Sequence, residues 1–252
     1  MQKYLFKNIH IVNENKIQIL DLLTNGERIE KIGSQLDSKR DVIEINCEGK
    51  YLLPGVIDDQ VHFREPGLTH KANIFTESKA AVAGGVTSFM EMPNTIPNAL
   101  TVNLLEDKYN IAAQTSLANY SFFMGVSNNN AEEVLKINKL KKDICGVKIF
   151  MGASTGNMLV DNYGTLEKIF RESELLIATH CEDEKIINEN YQRLKKEKGI
   201  LCEGRKRACF YFFLILLICI IFLCRLEIFF KLLHRRIHVN KYLVSLPHSL
   251  LI

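Results

Sequence analysis

From Tyr51 onward the chain repeats one rhythm: an apolar run, a short polar turn, then an amphipathic stretch. The runs Leu52–Val61, Thr87–Glu91, Tyr120–Gly125, Gly146–Met151 and Leu175–His180 have strand length and the near-continuous apolar character of strands covered on both faces. Residues 74–83, 103–113, 131–139, 164–172 and 183–198 have helical periodicity. Strands alternating with helices predict βαβ units on a parallel sheet. The five strands occupy roughly 150 residues, and a complete (β/α)8 barrel would need about 100 more. Only 48 of the 252 residues follow Gly204. The expected fold is therefore α/β, a TIM barrel truncated after about five strands.

Residues 1–50 follow a different rule. Tyr4–Phe6, Ile9–Val12, Ile17–Leu20 and Val42–Ile45 are short β-type runs, and Asn25-Gly26 is a hairpin turn signal. They predict a small β-rich domain over 1–50, ahead of the partial barrel at 51–204. Residues 205–252 form a third segment of another kind. There, eight Lys or Arg against the single acid Glu227 give +7, so the total of +3 leaves −4 for residues 1–204. A mildly acidic body gives no electrostatic reason to expect a nucleic-acid partner. Seven cysteines without a CxxC pair, and a start without a signal-peptide core, point to a reducing, cytoplasmic setting.

Within the last segment, Ala208 to Cys224 is 17 residues without a charge between basic flanks. Three readings are open: a frameshift or intron read-through, a membrane anchor at the short end of the spanning range, or a helix buried in an oligomer. A barrel cut after five strands has an open sheet edge, which counts against the anchor.

In parallel α/β barrels the reactive side chains sit at the C-terminal ends of strands. The first strand ends Gln60-Val61-His62-Phe63-Arg64, with Gln60, His62 and Arg64 alternating onto one side. The second ends Glu91-Met92-Pro93-Asn94-Thr95, the fourth holds Lys148 in an apolar run, and the fifth ends Thr179-His180-Cys181-Glu182. Each has an ordinary explanation. A strand-end histidine is usually a hydrogen-bonded polar group, Lys148 could pair with an acid or snorkel, Arg64 could pair with Glu65, and Asn94 suits a turn. Together, at successive strand ends, they point to a site.

These residues carry a resemblance. Asp58-Asp59-Gln60-Val61-His62-Phe63-Arg64-Glu65-Pro66 is similar to the D-x-H-x-H-x-R-x-P signature of the cyclic amidohydrolases, closest to dihydroorotase. The blocks Met92–Thr95, Gly146–Gly152 and Thr179–Glu182 follow in that family's order, and with the β-type opening the resemblance covers about 1–204. It implies a metal-dependent hydrolase that interconverts dihydroorotate and N-carbamoyl-aspartate in pyrimidine biosynthesis. It also implies one or two zinc ions bridged by a carboxylated Lys148, with His62 and His180 as ligands. Arg64 and Asn94 would bind the carboxylate of a small-molecule substrate. A homodimer is compatible with the resemblance.

The chain departs from the pattern twice. Gln60 stands where the family has a histidine, and an amide oxygen is the weaker zinc ligand. No block supplies the further histidine and the acid–base aspartate of the later strands, so the 252 residues as they stand are expected to show little or no catalysis. Two other functions are carried alongside: an allantoinase or hydantoinase-type ring-opening hydrolase, and a non-catalytic homologue, either membrane-tethered or a pseudogene product.

Overall fold

The computed structural model describes residues 2–37, 41–152 and 156–198. The apolar segment 208–224 and its three readings lie outside the described residues, as do Cys202, Cys209, Cys219 and Cys224. No described helix is long and apolar enough to cross a membrane. The described residues divide into two compact units, one of residues 2–57 with Ala81–Ser88, the other of Asp58–Ala80 with residues 89–198.

The first unit is built on β1 (Lys3–Asn13), β2 (Lys16–Asn25), β3 (Arg28–Gly33), β4 (Val42–Asn46) and β5 (Tyr51–Leu52). They form one sheet in the order β3-β2-β1-β4, with β5 also on β1. The runs Tyr4–Phe6 and Ile9–Val12 prove to be one strand, because a register shift between Phe6 and Ile9 absorbs the break, with Asn8 at φ 58°. Asp21 supplies what the bulge loses. Its carboxylate accepts from the Asn8 and Leu36 amides at 2.9 Å each and from Lys7 Nζ at 2.8 Å. The predicted Asn25-Gly26 hairpin is present, with Asn25 opposite Arg28. A second hairpin and β3 escape the sequence reading: Glu14 and Asn15, at φ 50° and 60°, make the two-residue turn between the paired Asn13 and Lys16.

One predicted strand is corrected. Leu52–Val61 is two elements, since Tyr51–Leu52 pairs with β1 and the next strand starts at Val56. Pro54, lacking an N–H, and Gly55 separate them.

The second sheet runs β6 (Val56–Val61), β7 (Val86–Glu91), β8 (Asn119–Gly125), β9 (Gly146–Phe150) and β10 (Ile177–His180), each beside the next in chain order. β9 is parallel to both β8 and β10. The helices are α1 (Ile74–Ala83), α2 (Val102–Thr115), α3 (Ala131–Leu135), α4 (Tyr163–Glu172) and α5 (Glu184–Lys198). The fold is thus mixed α/β, with a parallel sheet curled like part of a TIM barrel.

Side-chain caps place two helix starts one residue earlier than periodicity predicts: Thr101 accepts from the Leu104 amide at 3.2 Å and Asn162 from the Thr165 amide at 3.1 Å. The predicted helix 131–139 tightens into a 3-10 turn at Lys136–Leu140. There the Asn138 side chain binds Glu172 O and the Glu174 amide, both at 2.9 Å, and ties this turn to the end of α4 and the segment after it. Every residue of β9 is buried, and Phe63 packs on Phe89 with ring centroids 4.4 Å apart.

Candidate active site

The ends of β6 and β7 make one corner. His62 Nδ1 lies 2.8 Å from Asn94 Oδ1. With that oxygen accepting, the ring proton is on Nδ1 and the Nε2 lone pair is left for another partner. Partial burial lowers the histidine's affinity for a proton, and the Arg64 and Lys148 charges lower it further, against a smaller opposing effect from Asn94. A neutral imidazole is the form that binds metal.

Arg64 follows on a left-handed turn, φ 71°. The alternative pairing with Glu65 does not form, because Glu65 Oε2 caps α1 by accepting from the Ile74 amide at 2.9 Å. Among the described residues the Arg64 side chain has no hydrogen-bond or ion-pair partner. Its backbone amide does: Glu91 Oε1 accepts from the Phe63 amide at 3.1 Å and the Arg64 amide at 3.2 Å. Glu91 Oε2 is 2.9 Å from Lys108 Nζ, an ion pair rather than an aligned hydrogen bond, with each side chain 1% exposed. Burial pushes Glu91 up and Lys108 down, each toward its neutral form, and the partner's charge opposes both shifts.

The two loops that follow are in direct contact. The Ile96 amide donates to Pro66 O at 3.1 Å. A Cβ on Gly67, at φ 81°, would stand 2.0 Å from Ile96 O, so no larger residue fits there without moving backbone.

A second corner forms where β9 meets β10. Lys148 is 3% exposed, and its Nζ lies 5.0 Å from the Phe150 ring centroid. The His180 ring meets Phe150 edge-on at 5.2 Å, as the register that puts His180 beside Phe150 requires. No carboxylate pairs with Lys148 among the described residues, and burial lowers its proton affinity, with a small opposing effect from Cys181. Phe150 therefore touches both sequence-predicted side chains of this corner.

Gln60 is exposed, and its backbone N–H donates to Asp58 Oδ1 at 3.1 Å. Among the described residues no three His, Cys, Asp or Glu side chains group closely enough to hold a metal ion. The candidate donors from the sequence reading are the His62 and His180 rings and the Gln60 side-chain oxygen. Lys148 fits such a site only after conversion to an anion. Burial pushes the Cys145 thiol up to about 12 and raises Cys47 as well, which disfavours the thiolate at both. The sequence reading missed Lys108. The signal was a lysine sharing the buried face of α2 with Leu105 and Ala112.

The chain is similar to known proteins over the region that holds both corners. A family model described as dihydro-orotase-like matches residues 49–193. The dihydroorotase of Methanosarcina acetivorans is 36% identical over 192 residues, covering 75% of this chain and 40% of the relative. That of Wolbachia sp. subsp. Drosophila simulans is 38% identical over 187 residues, covering 72% and 41%. Among solved structures, the L-hydantoinase (dihydropyrimidinase) of Arthrobacter aurescens superposes with a TM-score of 0.70 at 27% identity, covering 79% of this chain and 45% of that one. The chain spans about two fifths of the length of the curated relatives it matches. With the matched region running from β5 through most of α5 and taking in both corners, the chain belongs to the dihydroorotase-like family of cyclic amidohydrolases.

Proposed function

We propose that the two corners are part of a dihydroorotase site, which opens the ring of dihydroorotate to N-carbamoyl-aspartate and closes it again. The observation that carries this reading is Arg64, a guanidinium without an anionic partner among the described residues, held on a fixed turn beside His62 and Asn94. A planar guanidinium binds a carboxylate through two parallel N–H···O bonds. Asn94 uses Oδ1 on His62 and retains its amide N–H groups for the same carboxylate.

His62 Nε2, His180 and the Gln60 oxygen are the proposed metal ligands, with Lys148 as the fourth. Burial keeps Lys148 toward the free amine, the form that adds to CO2. In that step the nitrogen bonds to the carbon and gives up one proton, leaving a carbamate anion. Bound zinc would supply a hydroxide near neutral pH and polarise the ring carbonyl. Residues 1–50 are proposed as a small β-rich domain and residues 51–204 as part of a (β/α)8 barrel. No block in 1–204 supplies the family's acid–base aspartate, so binding is a better readout than turnover.

A second reading, hydantoin hydrolysis, is favoured by the superposition on the L-hydantoinase of Arthrobacter aurescens. Titration calorimetry of the zinc-loaded full chain separates the two. Dihydroorotate and N-carbamoyl-aspartate are expected to bind more tightly than hydantoin, and Arg64→Ala to weaken them by about tenfold or more. Hydantoin binding at least as tightly, with Arg64→Ala silent, would hand the site to the second reading.

A further inference from the structure

The chemistry proposed for the site uses neither Glu91 nor Lys108, yet Glu91 contacts the Arg64 backbone and Lys108 the Met92 backbone, two residues before Asn94. Glu91 ends β7, and its Oε1 holds the two amides that directly follow His62. Those amides need such an acceptor. Arg64 lies in the left-handed region, where the chain has left the ladder of β6 and the usual neighbouring-strand carbonyls are out of register. On the other side, Lys108 donates to Met92 O at 3.1 Å, two residues before Asn94. The ammonium also lies 4.9 Å from the Phe122 ring centroid, so α2 and β8 fix its place. Stability is a poor reason for such a pair, because replacing a buried ion pair with apolar side chains of similar size is often neutral or favourable. Directional contacts to two loops are something an apolar pair does not reproduce.

We infer that Glu91 and Lys108 are positioning residues for the carboxylate subsite: the Glu91 acceptor holds the His62–Arg64 turn, Lys108 holds Glu91 against the Met92 backbone, and Arg64 and Asn94 are thereby aimed together. The substrate named for the subsite rests on the dihydroorotase reading; the positioning rests on the geometry alone.

Two double variants of the full chain test it. E91L/K108M removes both charges and the acceptor, while E91Q/K108M removes both charges and keeps an acceptor. Neither leaves a buried charge unpaired, so both are expected to fold. Amide hydrogen exchange by NMR is the first readout. In E91L/K108M, exchange at Phe63 and Arg64 is expected to speed up by about tenfold or more while Val147 and Ile149 stay as in the parent. E91Q/K108M should stay within about threefold of the parent at all four. A merely structural role would raise exchange evenly across the sheet. That result, or unchanged exchange at Phe63 and Arg64 in E91L/K108M, overturns the proposal.

The second readout is the affinity of the zinc-loaded chain for N-carbamoyl-aspartate. It is expected to weaken about tenfold in E91L/K108M and to recover in E91Q/K108M. A parent chain that binds no N-carbamoyl-aspartate, with the exchange pattern as expected, defeats the substrate reading and leaves the positioning intact. A parent that binds it, with E91L/K108M binding equally well, does the reverse.

Discussion

Lys108 and Lys148 are buried to nearly the same degree, 1% and 3% exposed, but their surroundings differ. Lys108 has the Glu91 carboxylate at 2.9 Å and a backbone carbonyl at 3.1 Å. Lys148 has an aromatic ring and no carboxylate among the described residues. Burial lowers the proton affinity of both, and only at Lys108 does a carboxylate charge oppose it strongly. The difference separates two uses of one residue type. A paired buried lysine is costly to unpair. An unpaired one is held against its desolvation cost, partly offset by the ring.

The comparison gives its largest prediction directly. Lys108→Met alone leaves Glu91 as a buried carboxylate without its cation, and should cost about 3–5 kcal/mol in urea unfolding. Lys148→Met removes a buried amine that no carboxylate pairs with among the described residues, and should leave stability within about 1 kcal/mol of the parent or raise it. Equal losses in the two variants would break the distinction.

Next in size is Gly67→Ala, which asks whether the first corner is as firmly built as its hydrogen bonds imply. The new Cβ meets a backbone oxygen, not a movable side chain, at a positive φ. A loss of about 2 kcal/mol or more is expected by the same measurement.

The smallest effect is a pH dependence at Asp21, a buried carboxylate outside the barrel-like sheet. Burial alone would raise its pKa, but Lys7 and the Asn8 and Leu36 amides outweigh it and hold the carboxyl below the ordinary value. Its folded pKa is thus below the unfolded one, so its contribution is complete above about pH 4 and is lost as pH falls through the folded value. Thermal melts between about pH 2 and pH 6 should show a shallower acid decline for Asp21→Asn than for the parent. An identical decline would mean that the three contacts to Asp21 carry no linkage.

Much of the architecture is legible in the chain. Four of the five predicted parallel strands lie within a few residues of the observed elements, because near-continuous apolar runs bounded by turn residues have few other uses. The exception, Leu52–Val61, divides at Pro54, where the pattern stays apolar while the pairing partner changes. Of the candidate site, the residue types and their strand-end positions are readable. Their bonds are not. That Asn94 accepts from His62, that Glu65 caps a helix instead of pairing with Arg64, and that Lys108 crosses to Glu91 each join residues of different elements or loops.

The sequence by itself determined the strand–helix rhythm, the strand-end chemistry and the family, since local apolar period and motif order are properties of neighbours along the chain. The tertiary structure alone decided which buried lysine is neutralised and which is not. That outcome depends on whether a carboxylate from another element arrives within about 3 Å, and only folded geometry sets such a distance.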